Sequence, residues 1–301
     1  MGAQLRVVRR RIRSVQSTMK ITRAMELIAA SRIVKAQQRV FEARPYADLL
    51  TAAMEDVARQ TGSMVHPLLE EREKPARAGV LVLTSDRGLA GAFNANLLKR
   101  AEDLLRRVRA RGLEPVLYLT GKKAIGYFRF RGVTPEASWS GFSEVPRYDA
   151  AVEIGTRLME DFASGRIDEL HTVYTDFRSS FTFRATDKRF LPIAPEEVVS
   201  DVSGVPSAEY IFEPEPAEIL DDLLPQYVIT KIYFALLESA ASENAARQRA
   251  MAAATDNADE LIKVLTRQAN RARQDEITTE IMEIVGGAEA LAGATKGGTG
   301  G

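Results

Sequence analysis

The sequence of 301 residues contains no cysteine, which excludes disulfide bonds, thiolate metal sites and cysteine nucleophiles. Only two histidines are present, His66 and His171, and no sequence spacing pairs either one with acidic residues as a metal or proton-transfer site. No run approaches the roughly 18 consecutive apolar residues that a membrane-spanning helix needs. The N-terminal stretch also lacks the apolar core of a signal peptide. We therefore expect a protein kept on the cytosolic side, able to dock peripherally on a membrane complex.

An excess of charge of one sign is also lacking, because 41 basic residues balance 41 acidic ones. The charges are unevenly placed. Residues 1–40 contain ten basic side chains and the single acid Glu26, whereas residues 208–222 contain six acids and no base. Such blocks are typical of solvated faces, and they can also mark electrostatic partner surfaces. Nucleic-acid binding is disfavoured because no groove-reading motif and no interleaved aromatic residues accompany the basic block.

Heptad patterns are present at both ends of the chain. Small or apolar residues recur at alternating spacings of three and four, which is typical of a coiled-coil seam. The N-terminal seam consists of Leu5, Val8, Ile12, Val15, Met19 and Thr22. The predicted C-terminal seam consists of Met251, Ala254, Ala258, Leu261, Leu265, Gln268 and Ala272. These patterns predict a rod in which helices at residues 1–60 and 209–291 pair with each other.

The N-terminal seam slips after Thr22, which is expected to unwind the supercoil locally. It continues through Met25, Ala29, Ile33, Ala36, Val40 and Ala43. Pro45 is expected to kink or interrupt this helix, and Pro225 to bend the beginning of the C-terminal one. The glycine-rich residues 292–301 are predicted to form a disordered tail.

Residues 76–195 have a different pattern, with short apolar runs alternating with amphipathic stretches. Strands are predicted at 80–83, 115–119, 171–174 and 180–183, and helices at 94–111, 122–130 and 148–163. This alternation predicts a Rossmann-like α/β domain with a mainly parallel sheet, inserted between the long helices. Proline-containing linkers are expected on either side of it, and Trp139 is expected to be a packed anchor in a loop.

The best candidate for a small-molecule site is the turn at residues 84–94, where Gly88 and Gly91 follow the first predicted strand. Phosphates bind at such turns in α/β sheets, but the three-glycine dinucleotide pattern is missing. The pair Gly121-Lys122 likewise lacks the rest of a Walker sequence. A structural tight turn, with Asp86 as a helix N-cap, is the favoured interpretation. No catalytic, cofactor or metal site is predicted.

Four stretches of the chain, taken together, resemble the γ subunit of the F-type ATP synthase. They are IRSVQSTMKITRAMELIAASR at 12–32, SDRGLAG at 85–91, ESAASENAAR with AMAAATDN between 238 and 257, and ITTEIMEIVGG at 277–287. They occur in the family's order, and the resemblance covers residues 1–291. It implies an antiparallel coiled coil of the terminal helices, acting as a rotor shaft inside a ring of α and β subunits. The α/β domain is then the foot that sits, with the ε subunit, on the membrane c-ring.

The resemblance also implies roles for individual residues. ATP is made on β in this family, so this chain is expected to be a non-catalytic subunit without a cofactor, at the cytoplasmic face of the bacterial plasma membrane. Contacts with the β subunit are implied for Arg273, Gln274, Met25 and Thr279. Contacts with the c-ring are implied for Tyr210 and Glu213.

The chain departs from the family in the 85–91 turn, where the family often has cysteine and a second glycine pair, and in lacking the chloroplast redox insert. The first departure makes a ligand at the turn less expected, and the second removes thiol regulation. Two alternatives remain open from the residues themselves. One is a nucleotide-binding or oxidoreductase domain with a coiled-coil appendage, and the other is a generic coiled-coil scaffold.

Overall fold

A computed structural model of the chain describes residues 2–61, 66–177, 182–194 and 216–296. Five helices and five strands are described, in the following order: α1 Gly2–Thr61, β1 Arg77–Leu83, α2 Phe93–Ala110, β2 Glu114–Thr120, α3 Lys122–Phe130, β3 Ala137–Trp139, α4 Tyr148–Ala163, β4 Glu169–Phe177, β5 Phe183–Leu191 and α5 Pro216–Lys296. They fall into two compact units. Residues 1–27 and 251–301 belong to the first, and residues 28–250 to the second.

The first unit is the predicted antiparallel coiled coil. All six predicted N-terminal seam residues are buried or half-buried, and most residues between them are exposed. Thr22 is buried, and its hydroxyl lies 2.8 Å from that of Thr255 on the other helix. The contact between the two hydroxyls is a polar layer that joins α1 to α5. Each hydroxyl also lies within hydrogen-bond distance of a carbonyl of its own helix.

The register predicted for the C-terminal seam is wrong at every second layer. Leu261 and Gln268 are exposed, whereas the residues that follow each of them are less exposed. The residues that share the covered face are Met251, Thr255, Ala258, Ile262, Leu265, Ala269, Ala272, Glu276 and Thr279. This set alternates spacings of four and three, so it is a heptad seam, offset by one residue at every second layer.

The second unit contains a five-stranded sheet in the order β3-β2-β1-β4-β5. Strands β1, β2, β3 and β4 pair in parallel, and β5 is antiparallel to β4. The mainly parallel sheet is therefore confirmed. Alternate residues of β1 point to opposite faces: Leu81 and Leu83 pack with α4, α5 and the end of α1. Val80 and Val82 pack with α2 and α3, so each face of the sheet is covered by helices.

Several local predictions change. The strand β3 was not predicted, and Trp139 ends it instead of lying in a loop. Residues 180 and 181 of the predicted fourth strand lie outside the described residues, and β5 begins at Phe183. Leu68 and Leu69, placed in a surface linker, are buried in the core. α5 extends to Lys296, so residues 292–296 of the predicted tail are helical.

Proline does not interrupt the long helices. α1 continues through Pro45 and α5 through Pro225. Tertiary packing explains the first case, because Met54 and Val57 lie beyond Pro45 and are fully buried in the core. Such burial outweighs the hydrogen bond that proline removes from the helix. Within the described ranges, none of the helices is apolar over a length sufficient to cross a lipid bilayer.

Candidate functional site

The turn after β1 is organised by the carboxylate of Asp86. Its Oδ2 accepts hydrogen bonds from the amides of Gly141 and Ser143 at 2.8 and 3.1 Å, and its Oδ1 accepts one from the amide of Lys122 at 3.2 Å. Lys122 begins α3, so Asp86 caps that helix across space. The prediction that it caps α2, the helix that follows it in the chain, is wrong. These three amides beside the turn could otherwise receive an anion, and they already bind the protein's own carboxylate.

The space beside the turn is too small for a nucleotide. The cavity lined by Thr84, Asp86, Gly121, Ser143 and Glu243 has a volume of about 10 Å³. That is room for about one water molecule, whereas small-molecule sites usually measure about 300–1,000 Å³. The geometry therefore favours the structural interpretation of the turn over the nucleotide-binding one.

Arg247 of α5 binds the same turn from the other side. Its side chain is 6% exposed, and its Nη2 donates to Glu243 Oε1 at 2.5 Å and to the Gly88 carbonyl at 3.3 Å. Burial raises the pKa of Glu243, and the guanidinium opposes that rise. A second carboxylate, Glu144, lies 3.7 Å from Arg247 Nη1 and accepts a 2.5 Å hydrogen bond from Arg32 of α1.

Both histidines lie beside acids that sequence spacing did not pair with them. His171 Nε2 is 3.0 Å from Glu169 Oε1, and Glu169 also receives a bidentate pair from Arg111. Burial raises the pKa of Glu169, but these two partners outweigh it and leave that pKa below its usual value. His66 Nε2 is 3.4 Å from Asp221. Across the described segments, no group of three or more ligating side chains is placed to hold a metal ion.

The residues implied as β-subunit contacts all belong to the coiled-coil unit. Arg273 and Gln274 are exposed, and Met25 and Thr279 are half-buried. The Thr279 hydroxyl donates to the carbonyl of Asp275 at 2.8 Å, which leaves its oxygen able to accept a further hydrogen bond. The two implied c-ring contacts, Tyr210 and Glu213, lie outside the described residues.

The far end of α5 carries an apolar surface that the sequence analysis did not single out. Residues 280–288 are all exposed, and the large apolar side chains among them are Ile281, Met282, Ile284 and Val285, at 49–71% exposure. Exposed apolar clusters of this kind usually mark interaction sites. The signal in the sequence was that the predicted C-terminal seam ends at Ala272, before these residues.

Arg247 and Glu243 were also missed as a pair. Their i,i+4 spacing on a helix is a usable signal, but nothing in the sequence links them to Glu144 or Arg32, which are 99 and 211 residues away from Glu243. Only the folded arrangement brings these four side chains together.

Comparison with known proteins identifies the family. The sequence model of the family ATP-synt, described as ATP synthase, matches residues 4–291. The ATP synthase gamma chain of Thermobifida fusca is 55% identical over 304 residues, covering 99% of this chain and 99% of that one. The gamma chain of Acidothermus cellulolyticus is 55% identical over 295 residues, covering 97% and 98%.

Solved structures share the fold. A chain of the Euglena gracilis mitochondrial ATP synthase, in a cryo-EM structure of OSCP, F1 and the c-ring, has a TM-score of 0.66 and 16% identity, covering 98% of this chain and 97% of that one. A chain of the Tetrahymena thermophila central stalk and c-ring has a TM-score of 0.57 and 21% identity, covering 78% and 99%. Because the family match spans nearly the whole chain and the identity to its relatives is high, the chain belongs to the ATP synthase gamma chain family.

Proposed function

We propose that this chain is the central rotor shaft of an F-type proton-translocating ATP synthase. The observation that carries the proposal is the 55% identity to a gamma chain over almost the full length of both proteins. As the shaft, the chain couples proton flow through the c-ring to ATP synthesis or hydrolysis at the β subunits. It performs no bond chemistry itself and needs no cofactor.

The coiled-coil unit suits the work of an axle inside the α and β ring. Small seam residues, among them Ala258, Ala269 and Ala272, allow two helices to approach closely and keep the rod slender. Arg273 and Gln274 are exposed on its surface and are proposed to contact a loop of β through a guanidinium and an amide. Met25 and Thr279 are proposed to face the β segments that move during catalysis. Exposed polar contacts are weak individually, so they can form and break as the shaft turns.

The foot of the shaft is proposed to rest on the c-ring together with the ε subunit. Tyr210 and Glu213 are assigned to the polar loops of the c-ring through the match of residues 210–216 to the family's segment. The chain is then held at the membrane peripherally, through the complex, on the cytoplasmic face of the bacterial plasma membrane. Its proposed domains are the helices at 1–60 and 209–291, the α/β domain at 76–195 and the tail at 292–301, whose first five residues continue α5.

Reconstitution tests the proposal directly. The purified chain is mixed with purified α and β subunits, and ATP hydrolysis is measured for the chain alone, for α with β, and for all three. We expect no turnover by the chain alone and turnover by the ring that depends on the chain. Turnover by the lone chain would contradict the proposal. Calorimetric titration of the lone chain with nucleotides provides the second check, since tight binding without partners favours a nucleotide-binding protein instead.

A further inference from the structure

Arg247 connects α5 to the turn after β1 through one buried guanidinium. Its Nη2 bonds the Gly88 carbonyl at 3.3 Å and Glu243 Oε1 at 2.5 Å, and its Nη1 bonds the side-chain oxygen of Asn244 at 3.3 Å. Glu243 is fully buried and Arg247 almost so. A guanidinium is a planar fork with fixed donor directions, so these contacts define an orientation as well as a distance.

Glu144 extends this arrangement to α1. It lies on the loop before α4, and its side chain is only 16% exposed. Oε2 accepts from Arg32 Nη1 of α1 at 2.5 Å and lies 3.4 Å from Arg87 of the turn, while Oε1 lies 3.7 Å from Arg247. One carboxylate therefore meets a cation from α1, a cation from α5 and a cation from the α/β domain itself.

The two loops that hold Gly88 and Glu144 are fastened to each other. The Asp86 amide donates to the Ser143 hydroxyl at 2.9 Å, and the Asp86 carboxylate accepts from the Ser143 amide at 3.1 Å. A Cβ built on Gly91 would lie 3.6 Å from the Cβ of Ala250, so the turn sits directly against α5. Loops of the α/β domain and the two long helices thus converge on one cluster of charged side chains. We name it the α1–α5 ion cluster, and it consists of Arg32, Glu144, Glu243 and Arg247.

We propose that the α1–α5 ion cluster is the mechanical lock that passes torque between the long helices and the α/β domain. The inference rests on the proposed function of the chain as a rotor shaft. Packed apolar faces resist sliding only through the complementarity of their shapes. A buried guanidinium, in contrast, makes all of its hydrogen bonds in only one arrangement of its partners.

Displacing α5 breaks the bond of Arg247 to the Gly88 carbonyl and its ion pair with Glu144. Displacing α1 breaks the ion pair of Arg32 with Glu144. The contacts of Arg247 belong to an almost fully buried guanidinium, where a lost hydrogen bond to a charged group is costly. Arg247 is therefore a positioning residue that acts through Glu144 and Gly88.

The test uses the complete enzyme in membrane vesicles and compares ATP-driven proton pumping with ATP hydrolysis in the same sample. The variants are Arg32→Ala, Glu144→Gln, the two combined, and Arg247→Lys. Arg32 is half-exposed and Glu144→Gln is isosteric, so both variants are expected to fold even if changes at Arg247 disturb assembly. The amount of chain incorporated and the thermal unfolding midpoint of each variant are recorded alongside.

The matched control is Arg189→Ala, which breaks a 2.7 Å surface ion pair with Glu71, both residues lying outside the two long helices. We expect the ratio of pumping to hydrolysis to fall about fivefold in Arg32→Ala and in Glu144→Gln, the lower end of typical coupling effects between linked elements. The control leaves the ratio unchanged. The double variant loses no more than Glu144→Gln alone, since that change already breaks the contact that Arg32→Ala removes, and Arg247→Lys gives an intermediate ratio.

Two failures can be told apart. If the unmodified chain supports no proton pumping, the proposed function fails. If the unmodified complex pumps and the incorporated variants keep its pumping ratio, the lock is wrong while the rotor shaft stands. A reduced thermal midpoint with an unchanged ratio also overturns the lock, because it identifies the cluster as structural alone.

Discussion

Gly121 sits at the junction of β2 and α3, where the backbone has a φ of +84°. A Cβ at this position would lie 2.2 Å from the carbonyl oxygen of Thr84, which no side-chain adjustment can relieve. Thr84 is fixed in turn, because its hydroxyl donates to the Thr120 carbonyl at 2.8 Å. Glycine is required here by close backbone approach as well as by the dihedral angle.

Gly121→Ala should therefore destabilise the protein by about 3 kcal/mol or more, from overpacking added to backbone strain. Gly112→Ala is the matched control, since Gly112 has a φ of +81° but no atom within 4 Å of its missing Cβ. It should cost only the dihedral strain of about 1–2 kcal/mol. Urea denaturation of both variants measures the difference, and equal losses would contradict the close contact.

Glu238 is a half-buried carboxyl on α5 with an unusual environment. Burial, followed by the nearby carboxylate of Asp176, raises its pKa from 4.5 to about 7. Lys188, Arg44 and a hydrogen bond from the Phe177 amide oppose the rise without cancelling it. The folded protein therefore holds a proton on Glu238 in a pH range where the unfolded chain has released it.

This pKa shift predicts that Glu238 lowers stability as pH rises. Between pH 4.5 and about 7 the folded state binds more protons than the unfolded state, so the free energy of unfolding falls with pH, by up to about 3 kcal/mol in total. Glu238→Gln should remove this fall and make the variant more stable than the parent at pH 8. Denaturation curves of the two proteins from pH 4.5 to 8 provide the measurement. Parallel pH profiles would show that Glu238 titrates normally.

At the scale of elements, the coiled coil depends on which residues of α5 face α1. Ala269 is 9% exposed, whereas its neighbour Gln268 is exposed. The heptad rule alone accepts either residue, because spacings of three and four alternate in both sets. Contact with the partner helix decides between the two sets of residues. The contact between Thr255 and Thr22 fixes one layer of the seam, and the heptad spacing fixes the remaining layers from it.

A charge introduced at these neighbouring positions distinguishes the two registers. Ala269→Asp places an unpaired carboxylate in the seam and should cost about 3 kcal/mol. Gln268→Asp also introduces a residue of lower helix propensity, but on an exposed face. It should lower the free energy of unfolding by less than about 1 kcal/mol. Hydrogen exchange over residues 2–27 and 251–296 would report the loss of the paired helices. Greater loss with Gln268→Asp would restore the originally predicted register.

Most elements of the α/β domain follow from local pattern. The apolar run of β1 and the bounds of α3 and α4 agree with the prediction to within a few residues, because burial on both faces leaves a strong sequence signal. β3 was missed, since three exposed or half-exposed residues at a sheet edge carry no such signal. The long-range contacts of Arg32, Glu144 and Arg247 were also beyond prediction.

At the scale of the whole molecule, the chain acts through surfaces and not through a reaction centre. Arg273 and Gln274 are exposed and have no hydrogen-bond or ion-pair partner among the residues that the structure describes. Substitutions at these two residues should therefore affect contacts with other subunits and leave the stability of the fold unchanged.

Arg273→Ala combined with Gln274→Ala should lower proton pumping per ATP hydrolysed by about threefold, because exposed polar contacts contribute about 0.2–1 kcal/mol each. The chain offers a matched control in Arg267→Ala with Gln268→Ala, the same exposed pair of residue types earlier on α5. The control should leave pumping unchanged. Circular dichroism checks folding, and unfolding of the first double variant would make that pair structural.

The sequence alone determined that the chain has two long helices and an inserted α/β domain, because helix and strand periodicities are local properties. It also excluded thiol chemistry, because residue content can be read directly. The tertiary structure decided the register of α5, the role of Asp86 as a cap for α3, and the gathering of Arg32, Glu144, Glu243 and Arg247. Each of these depends on which distant groups meet after folding. A buried charge or a seam residue is selected by its partner, and sequence spacing carries no record of a partner that is distant in the chain.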